Sequence, residues 1–191
     1  MLNDSGRRYT YGDYVQWTGD ERWELVDGQV FDMTPAPSRL HQQVVVRMLF
    51  QIEGRLRGHR CQVYVAPFDV RLPKGDEPDE QVDTVVQPDI VVICDPAKLD
   101  DAGCRGAPDW IVEILSPRTS ARDQELKRDL YRRSGVREYW HLDPVSRGLV
   151  RYRRDEAAGG FSEPVRGVAE GRIATSVLPD LEVDFDEVFA D

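Results

Sequence analysis

Two stretches of the chain decide the fold: Val85-Val-Gln-Pro-Asp-Ile-Val-Val-Ile-Cys94 and Trp110-Ile-Val-Glu-Ile-Leu115. Side chains of a β-strand alternate between the two faces of a sheet, and here both faces are apolar. Such strands are typical of the centre of a sheet that is covered on both sides. One acid interrupts each stretch, Asp89 in the first and Glu113 in the second.

These two acids are unexpected in a buried sheet. An unpaired buried carboxylate is costly, so it loses its charge or finds a partner. A hard divalent cation with oxygen ligands would satisfy two carboxylates on neighbouring strands. The sequence leaves a second interpretation open, in which each acid pairs with an arginine or reaches water at a strand end.

The elements around these strands predict an α/β chain. Asp27-Gly28 is a typical two-residue turn, so an N-terminal β-hairpin is predicted over 24–30. Ser38 begins a predicted helix that ends near Arg57 and has an apolar stripe. The other predicted elements are a short helix over 11–17, strands over 61–72, 85–94 and 110–115, a helix over 120–134, a hairpin of 138–142 and 149–153, weaker strands near 161–166 and 172–177, and an acidic tail over 180–191 with a short closing helix.

The predicted helix over 120–134 carries a candidate catalytic lysine, Lys127. Its first residues, Ser120-Ala-Arg-Asp123, have the capping-box pattern. Asp123, Lys127 and Tyr131 are four residues apart and share one face of the helix. A lysine beside metal-bound carboxylates can stabilise the charge of a phosphodiester transition state. A solvent-facing lysine is the common alternative.

The composition limits the class of protein. The chain has 191 residues, of which 40% are hydrophobic and 31% are charged, which is typical of a globular chain. We predict one domain over 1–191, with a core of about 9–153 and C-terminal strands with an acidic tail over 154–191. The net charge of −10 argues against a protein coated in basic surface. Residues 118–154 nevertheless hold eleven basic and five acidic residues, so this part could meet a polyanion.

The three cysteines predict no disulfide framework and no zinc site. Cys61, Cys94 and Cys104 are odd in number and form no C-x-x-C pair. Reduced thiols in the cytoplasm are the simplest interpretation. Neither a signal peptide nor an apolar run of membrane-spanning length is recognisable, so no membrane partner is expected.

The ordered motifs of the chain resemble a known family. Gln87-Pro-Asp-Ile90 and Val112-Glu-Ile-Leu-Ser-Pro117, in this order, are similar to the bacterial restriction-endonuclease family of the Uma type, within the PD-(D/E)XK nuclease superfamily. The similarity extends over roughly 9–152. It also includes Trp23-Glu-Leu-Val-Asp-Gly28, Ser38-Arg-Leu-His41, Lys127, Tyr131, Gly135-Val-Arg-Glu-Tyr-Trp140 and Asp143-Pro144.

The resemblance implies a restriction-endonuclease-like mixed β-sheet flanked by helices. It implies that Asp89 and Glu113 hold Mg²⁺ or Mn²⁺ and that Lys127 is the catalytic lysine. The superfamily usually places this lysine two residues after the second acid, where this chain has Leu115. Glu24 is a further candidate ligand, with a solvent-facing strand residue as the alternative. His41 and Tyr131 are candidate supporting residues, and a half-buried structural histidine is the alternative for His41.

Three functions are therefore open at the level of sequence. The favoured one is a metal-dependent endonuclease that hydrolyses DNA, and dimers are common among such nucleases. The second is a non-catalytic nucleic-acid-binding or regulatory protein that retains the fold. The third is a metal-dependent hydrolase of small phosphate esters. Arg118, Arg122 and the Arg132-Arg133 pair are candidates for contacts with a phosphate backbone, or form a solvated helix face.

Overall fold

The computed structural model describes residues 6–19, 21–33, 36–116 and 121–190. Its helices are α1 (Tyr11–Tyr14), α2 (Arg39–Leu56), α3 (Ala121–Ser134) and α4 (Phe185–Val188). Its strands are β1 (Trp23–Val26), β2 (Gln29–Asp32), β3 (Gln62–Val65), β4 (Val70–Arg71), β5 (Val85–Val86), β6 (Ile90–Ile93), β7 (Leu99–Asp100), β8 (Gly103–Arg105), β9 (Trp110–Ile114), β10 (Glu138–Leu142), β11 (Gly148–Asp155), β12 (Gly160–Phe161), β13 (Val165–Val168), β14 (Arg172–Ala174) and β15 (Glu182–Asp184).

Most strands belong to two sheets. The larger sheet has the order β12-β11-β10-β9-β6-β3, and β13 also pairs with β11. Within it, β9 and β10 run parallel, whereas β6 is antiparallel to both β3 and β9. The smaller sheet has the order β2-β1-β5-β4-β8-β7 and begins with the predicted hairpin. The expected mixed α/β architecture with an N-terminal hairpin is confirmed.

The larger sheet is covered on both faces, as the apolar pattern of its central strands predicts. One face packs against α2, α4 and the C-terminal segment; Val44, Met48 and Phe185 join Ile90 and Val112 in this core. The other face packs against α3 and residues of the smaller sheet, in a core that contains Leu130, Tyr131, Val70, Val91 and Ile111. The strands that carry the two acids therefore lie between two hydrophobic layers.

The prediction of two long strands is wrong in one respect, because each predicted strand is divided between the two sheets. The strand predicted over 61–72 forms β3 in the larger sheet and β4 in the smaller one, with Pro67 between them. The strand predicted over 85–94 forms β5 and β6, with Pro88 between them. Proline has no backbone N–H to continue a ladder, so the chain leaves one sheet near each proline and joins the other. Asp89 lies at the second of these crossings.

The expectation of reduced thiols is wrong for two of the three cysteines. Cys61 and Cys94 form a disulfide, and Cys104 is free and buried. The antiparallel pairing of β3 with β6 sets Gln62 opposite Ile93, so the next pair outward is Cys61 and Cys94. This register cannot be read from the spacing of cysteines along the chain.

Helices α2 and α3 begin and end within one residue of their predicted positions, whereas α1 ends at Tyr14, three residues earlier than predicted. Ser38 caps α2, where its side chain accepts a hydrogen bond from the backbone N–H of His41. The predicted capping residue of α3, Ser120, lies outside the described residues. None of the described helices combines the length and the apolar composition needed to cross a membrane. The assignment of the chain to one domain stays a prediction.

Candidate active site

The central strands bring Asp89 and Glu113 together. Strands β6 and β9 are antiparallel, with Ile90 opposite Val112 and Val91 opposite Ile111. One step further along this register, Asp89 is opposite Glu113, and residues opposite each other share one face of the sheet. Both acids line the same cavity, which has a volume of about 560 Å³. Residues 24 positions apart thus meet because two strands pair side by side.

Helix α3 supplies the partners of Glu113. The Lys127 ammonium donates to Glu113 Oε1 over 2.9 Å, and the Tyr131 hydroxyl donates to the same oxygen over 2.8 Å. Lys127 retains only 18% of its side-chain exposure. The alternative of a solvent-facing lysine is therefore wrong, and the structure brings Lys127 and Tyr131 to the second acid.

Asp89 is held from the sheet and from α2. The backbone N–H of Ile114 donates to Asp89 Oδ2 over 2.8 Å. His41 Nε2 donates to the same oxygen over 3.1 Å. His41 lies in the first turn of α2 because Ser38 begins that helix beside the cavity. The structure thus brings His41 to Asp89, and neither acid is paired with an arginine among the described contacts.

Glu24 on β1 joins the same group. Its residue exposure is 2%, so the alternative of a solvent-facing strand residue is wrong. Glu24 Oε1 accepts one hydrogen bond from the backbone N–H of Gln87 over 2.8 Å and another from Lys127 over 3.0 Å. Lys127 therefore lies between Glu24 and Glu113, and Glu24 also holds the segment that precedes Asp89.

The charged groups of this site lie close together, and each shifts the pKa values of the others. Burial, together with the charges of Asp89 and Glu24, raises the pKa of Glu113 to about 7, although Lys127 opposes the shift. Burial lowers the pKa of Lys127, but Glu113 and Glu24 outweigh it and raise the pKa above its usual value. Burial also opposes the charged form of His41, but Asp89 raises its pKa. Lys127 therefore stays a cation, and Glu113 is poised to change charge near neutral pH.

The donor set fits a hard divalent cation bound mainly through two carboxylates. In the described part of the chain, no group of three or more His, Cys, Asp or Glu side chains is arranged to hold a metal. Mg²⁺ needs no such cage, because it commonly binds one or two carboxylates and completes its coordination with water and substrate phosphate. Asp89 and Glu113 supply two carboxylates on one cavity. Their hydrogen bonds with described residues use Oδ2 and Oε1, one oxygen of each acid.

Two residues on the cavity wall were not found from the sequence. Arg22 precedes β1, and His141 lies on β10 directly opposite Glu113. Burial lowers the pKa of His141 to about 4, with Lys127 and Arg128 adding to the shift. The Tyr139 hydroxyl and His141 Nε2 form a hydrogen bond with each other. A histidine in the middle of a predicted strand was a signal for His141, whereas nothing in the sequence distinguished Arg22.

Two of the candidate phosphate-binding arginines, Arg132 and Arg133, do not line this cavity. Arg133 pairs with Asp27 at the hairpin turn over 2.7 Å, and Arg132 lies 4.0 Å from Asp129 on its own helix. Arg118 and the side chain of Arg122 lie outside the described part of the structure. These contacts are typical of a solvated helix face.

A mixed sheet between helices, with two acids on paired central strands and a lysine beside them, defines the restriction-endonuclease-like class. The sequence model of the Uma2 family, described as "Putative restriction endonuclease", matches residues 11–186. The chain therefore belongs to the Uma2 family, which confirms the resemblance noted in its motifs.

The known proteins that are similar to this chain include a solved structure and a curated relative, both from cyanobacteria. The crystal structure of "a putative nuclease belonging to DUF820" from Anabaena variabilis has a TM-score of 0.73 at 17% identity, covering 95% of this chain and 97% of that one. At this identity the likeness shows the fold. The "Uncharacterized protein slr1290" of Synechocystis sp. is 28% identical over 121 residues, which are 62% of this chain. The match spans 60% of the length of that relative.

Proposed function

We propose that this protein is a metal-dependent endonuclease that hydrolyses phosphodiester bonds of DNA. The observation that carries the proposal is the pairing of β6 with β9, which sets Asp89 opposite Glu113 on a cavity where Lys127 contacts Glu113. Membership of a family described as restriction endonucleases supports the reaction class. The local net charge of +6 over residues 118–154 supports a polyanionic substrate.

We assign Asp89 and Glu113 as the residues that would hold Mg²⁺ or Mn²⁺. When bound, such an ion lowers the pKa of a water molecule and neutralises charge on the phosphate. His41 and the Ile114 N–H orient Asp89 through Oδ2, and Tyr131 orients Glu113 through Oε1. These contacts fix the two carboxylates before substrate arrives, so little reorganisation is needed at the moment of reaction.

Lys127 has the role of a fixed positive charge beside the reacting phosphate. Its raised pKa makes it a poor base, so it donates hydrogen bonds and stabilises negative charge. Glu24 and Glu113 hold its ammonium at 3.0 and 2.9 Å. We assign Glu24 chiefly the positioning of Lys127, because its Oε1 already accepts two hydrogen bonds. This supply of lysine from α3 compensates for Leu115 at the usual lysine position.

The test is metal-dependent cleavage of supercoiled plasmid DNA by the wild-type chain and by two isosteric variants. Asp89→Asn and Glu113→Gln are expected to lower the cleavage rate by at least about 10³-fold, because each removes a charge on which metal binding depends. Glu53→Gln, an exposed acid on α2, is the matched control and is expected to cleave normally. Circular dichroism and thermal unfolding report whether the variants keep their fold.

The alternatives give different results in the same assay. Wild-type protein that binds DNA without cleaving it in Mg²⁺ or Mn²⁺ would identify a non-catalytic binding protein. Turnover of nucleotides or sugar phosphates without DNA cleavage would identify a small-ester hydrolase. Cleavage that persists in both variants would refute the assignment of Asp89 and Glu113 as metal-binding residues. The homodimer expected from the superfamily stays a prediction, which sedimentation analysis can test.

A further inference from the structure

Arg22 is held in place on the wall of the candidate active site. It lines the same cavity as Asp89 and Glu113. Its Nε and Nη2 both donate to Gln87 Oε1, over 3.0 and 2.8 Å. Two donors on one acceptor restrict the rotation of the planar guanidinium, which a single contact would leave free. The orientation of Arg22 is therefore set before any ligand binds.

The anchor of Arg22 is itself rigid. Gln87 is buried, and its amide nitrogen donates to Asp69 Oδ1 over 2.8 Å and to the Tyr14 hydroxyl over 3.1 Å. The backbone N–H of Gln87 donates to Glu24. Gln87 contacts both Arg22 and Glu24, and it lies two residues before Asp89 in the chain. Gln87 therefore connects Arg22 and Glu24 to Asp89. The guanidinium consequently has a defined place relative to the acidic group.

The charge of Arg22 is not neutralised by a carboxylate within the ranges that the structure describes. The contact that holds it is a neutral amide, which fixes the group without cancelling its charge. Lys127, also on this cavity, is instead shared between Glu24 and Glu113. A fixed and uncompensated guanidinium in a concave site is well suited to bind an anion, and its planar fork matches phosphate oxygens.

We propose that Arg22 is the residue that binds substrate phosphate in this site, through a non-bridging oxygen of the phosphodiester. The choice of a nucleic-acid phosphate rests on the proposed function, whereas anion binding follows from the contacts of Arg22 itself. In this arrangement Arg22 gives affinity and orientation, Lys127 stabilises charge during the reaction, and the two acids hold the ion. Arg22 is not needed to hold the metal.

The test measures binding separately from cleavage. Fluorescence anisotropy with short labelled single-stranded and duplex DNA, with Ca²⁺ in place of Mg²⁺, gives the dissociation constant at several salt concentrations. Arg22→Met is expected to weaken binding about tenfold. The slope of the logarithm of the association constant against log[salt] is expected to become shallower by about 0.9, the value for one lost phosphate contact. Arg22→Lys is expected to retain the slope and lose part of the affinity, because lysine keeps the charge without the fork.

Arg57→Met is the matched control, since Arg57 is exposed at the end of α2 and does not line the cavity. It is expected to bind like the wild type. Equal binding by Arg22→Met and wild type, an equal loss in Arg57→Met, or no DNA binding by wild type would each overturn the proposal. Should Arg22→Met unfold in thermal scans, Arg22→Gln carries the same expectations, because glutamine keeps a donor for Gln87.

The outcome is distinguishable from failure of the proposed function. Wild-type protein that binds DNA in an Arg22-dependent manner but never cleaves it would refute the endonuclease and leave the phosphate site standing. Cleavage that is abolished by Glu113→Gln but unaffected in rate and affinity by Arg22→Met would refute the phosphate site alone.

Discussion

Two glutamates on neighbouring central strands of one sheet have different surroundings. Glu138 on β10 has 0% exposure, and donors surround both of its oxygens. Oε1 accepts from Trp140 Nε1 over 2.7 Å, and Oε2 accepts from the hydroxyl groups of Thr175 and Ser176 over 2.9 and 2.6 Å. Glu113 on β9 lines a cavity, and its described hydrogen bonds all use Oε1.

A buried acid in an apolar strand is therefore not by itself a sign of chemistry. Glu138 connects β10 to the C-terminal segment, and Arg153 lies 3.6 Å away as a further partner. Its hydrogen bonds satisfy it within the protein, as expected of a structural carboxylate. Glu113 instead shares its surroundings with Asp89 and Glu24, two charges of the same sign. Such a cluster is costly without a ligand and is typical of functional sites.

The largest effect on stability is expected from Glu138. Glu138→Gln should lower the free energy of unfolding by about 3–4 kcal/mol, because the new amide nitrogen faces donors and Arg153 loses its partner. Urea unfolding at neutral pH measures this loss. The matched control is Glu182→Gln, an exposed acid on β15, which should change stability by less than about 0.5 kcal/mol. A similar small change in both variants would contradict the structural role of Glu138.

An intermediate effect is expected from His141, which shares β10 with Glu138 and lies opposite Glu113. Folding lowers the pKa of His141 from 6.5 to about 4. Between pH 6.5 and pH 4, His141 is therefore protonated in the unfolded chain and neutral in the folded chain. Its contribution to stability is therefore complete above pH 6.5 and is lost as the pH falls toward 4.

The pH effect is measured as a difference between two proteins. From pH 6.5 to pH 4.5, wild type should lose about 2–3 kcal/mol relative to His141→Leu, which has no group to protonate there. Urea unfolding at both pH values cancels the contributions of other acids, since they are common to both chains. Parallel pH profiles would show that His141 is not buried in its neutral form.

The smallest effect on stability is expected from Glu113. Burial raises its pKa to about 7, so its ionised form is disfavoured in the folded chain. In metal-free buffer at pH 8, Glu113→Gln should therefore cost no stability and should raise the free energy of unfolding by about 1 kcal/mol. Lys127 keeps Glu24 as its partner in this variant. A decrease in the free energy of unfolding as large as that of Glu138→Gln would show that Glu113 is a structural residue like Glu138.

Part of the site was predictable because it depends on local pattern. Two acids in apolar strands, a lysine four residues before a tyrosine, and a capped helix near His41 are all visible along the chain. Glu138 is a third acid in a buried strand, and local pattern cannot distinguish such a carboxylate with internal donors from one that faces a cavity. Arg22 also has no local signal, because its role depends on Gln87 from a distant part of the chain.

Local patterns along the chain were enough to predict the α/β class, the order of most elements and the two acids of the central strands, because alternation, capping and turn residues act over short distances. The folded chain was needed to show three further features. Pro67 and Pro88 divide strands between two sheets, Cys61 is bonded to Cys94, and Glu24 and Glu113 share Lys127. These outcomes depend on strand register and on the packing of α3 against the sheet. Both are set by contacts between residues far apart in the chain, which no local pattern records.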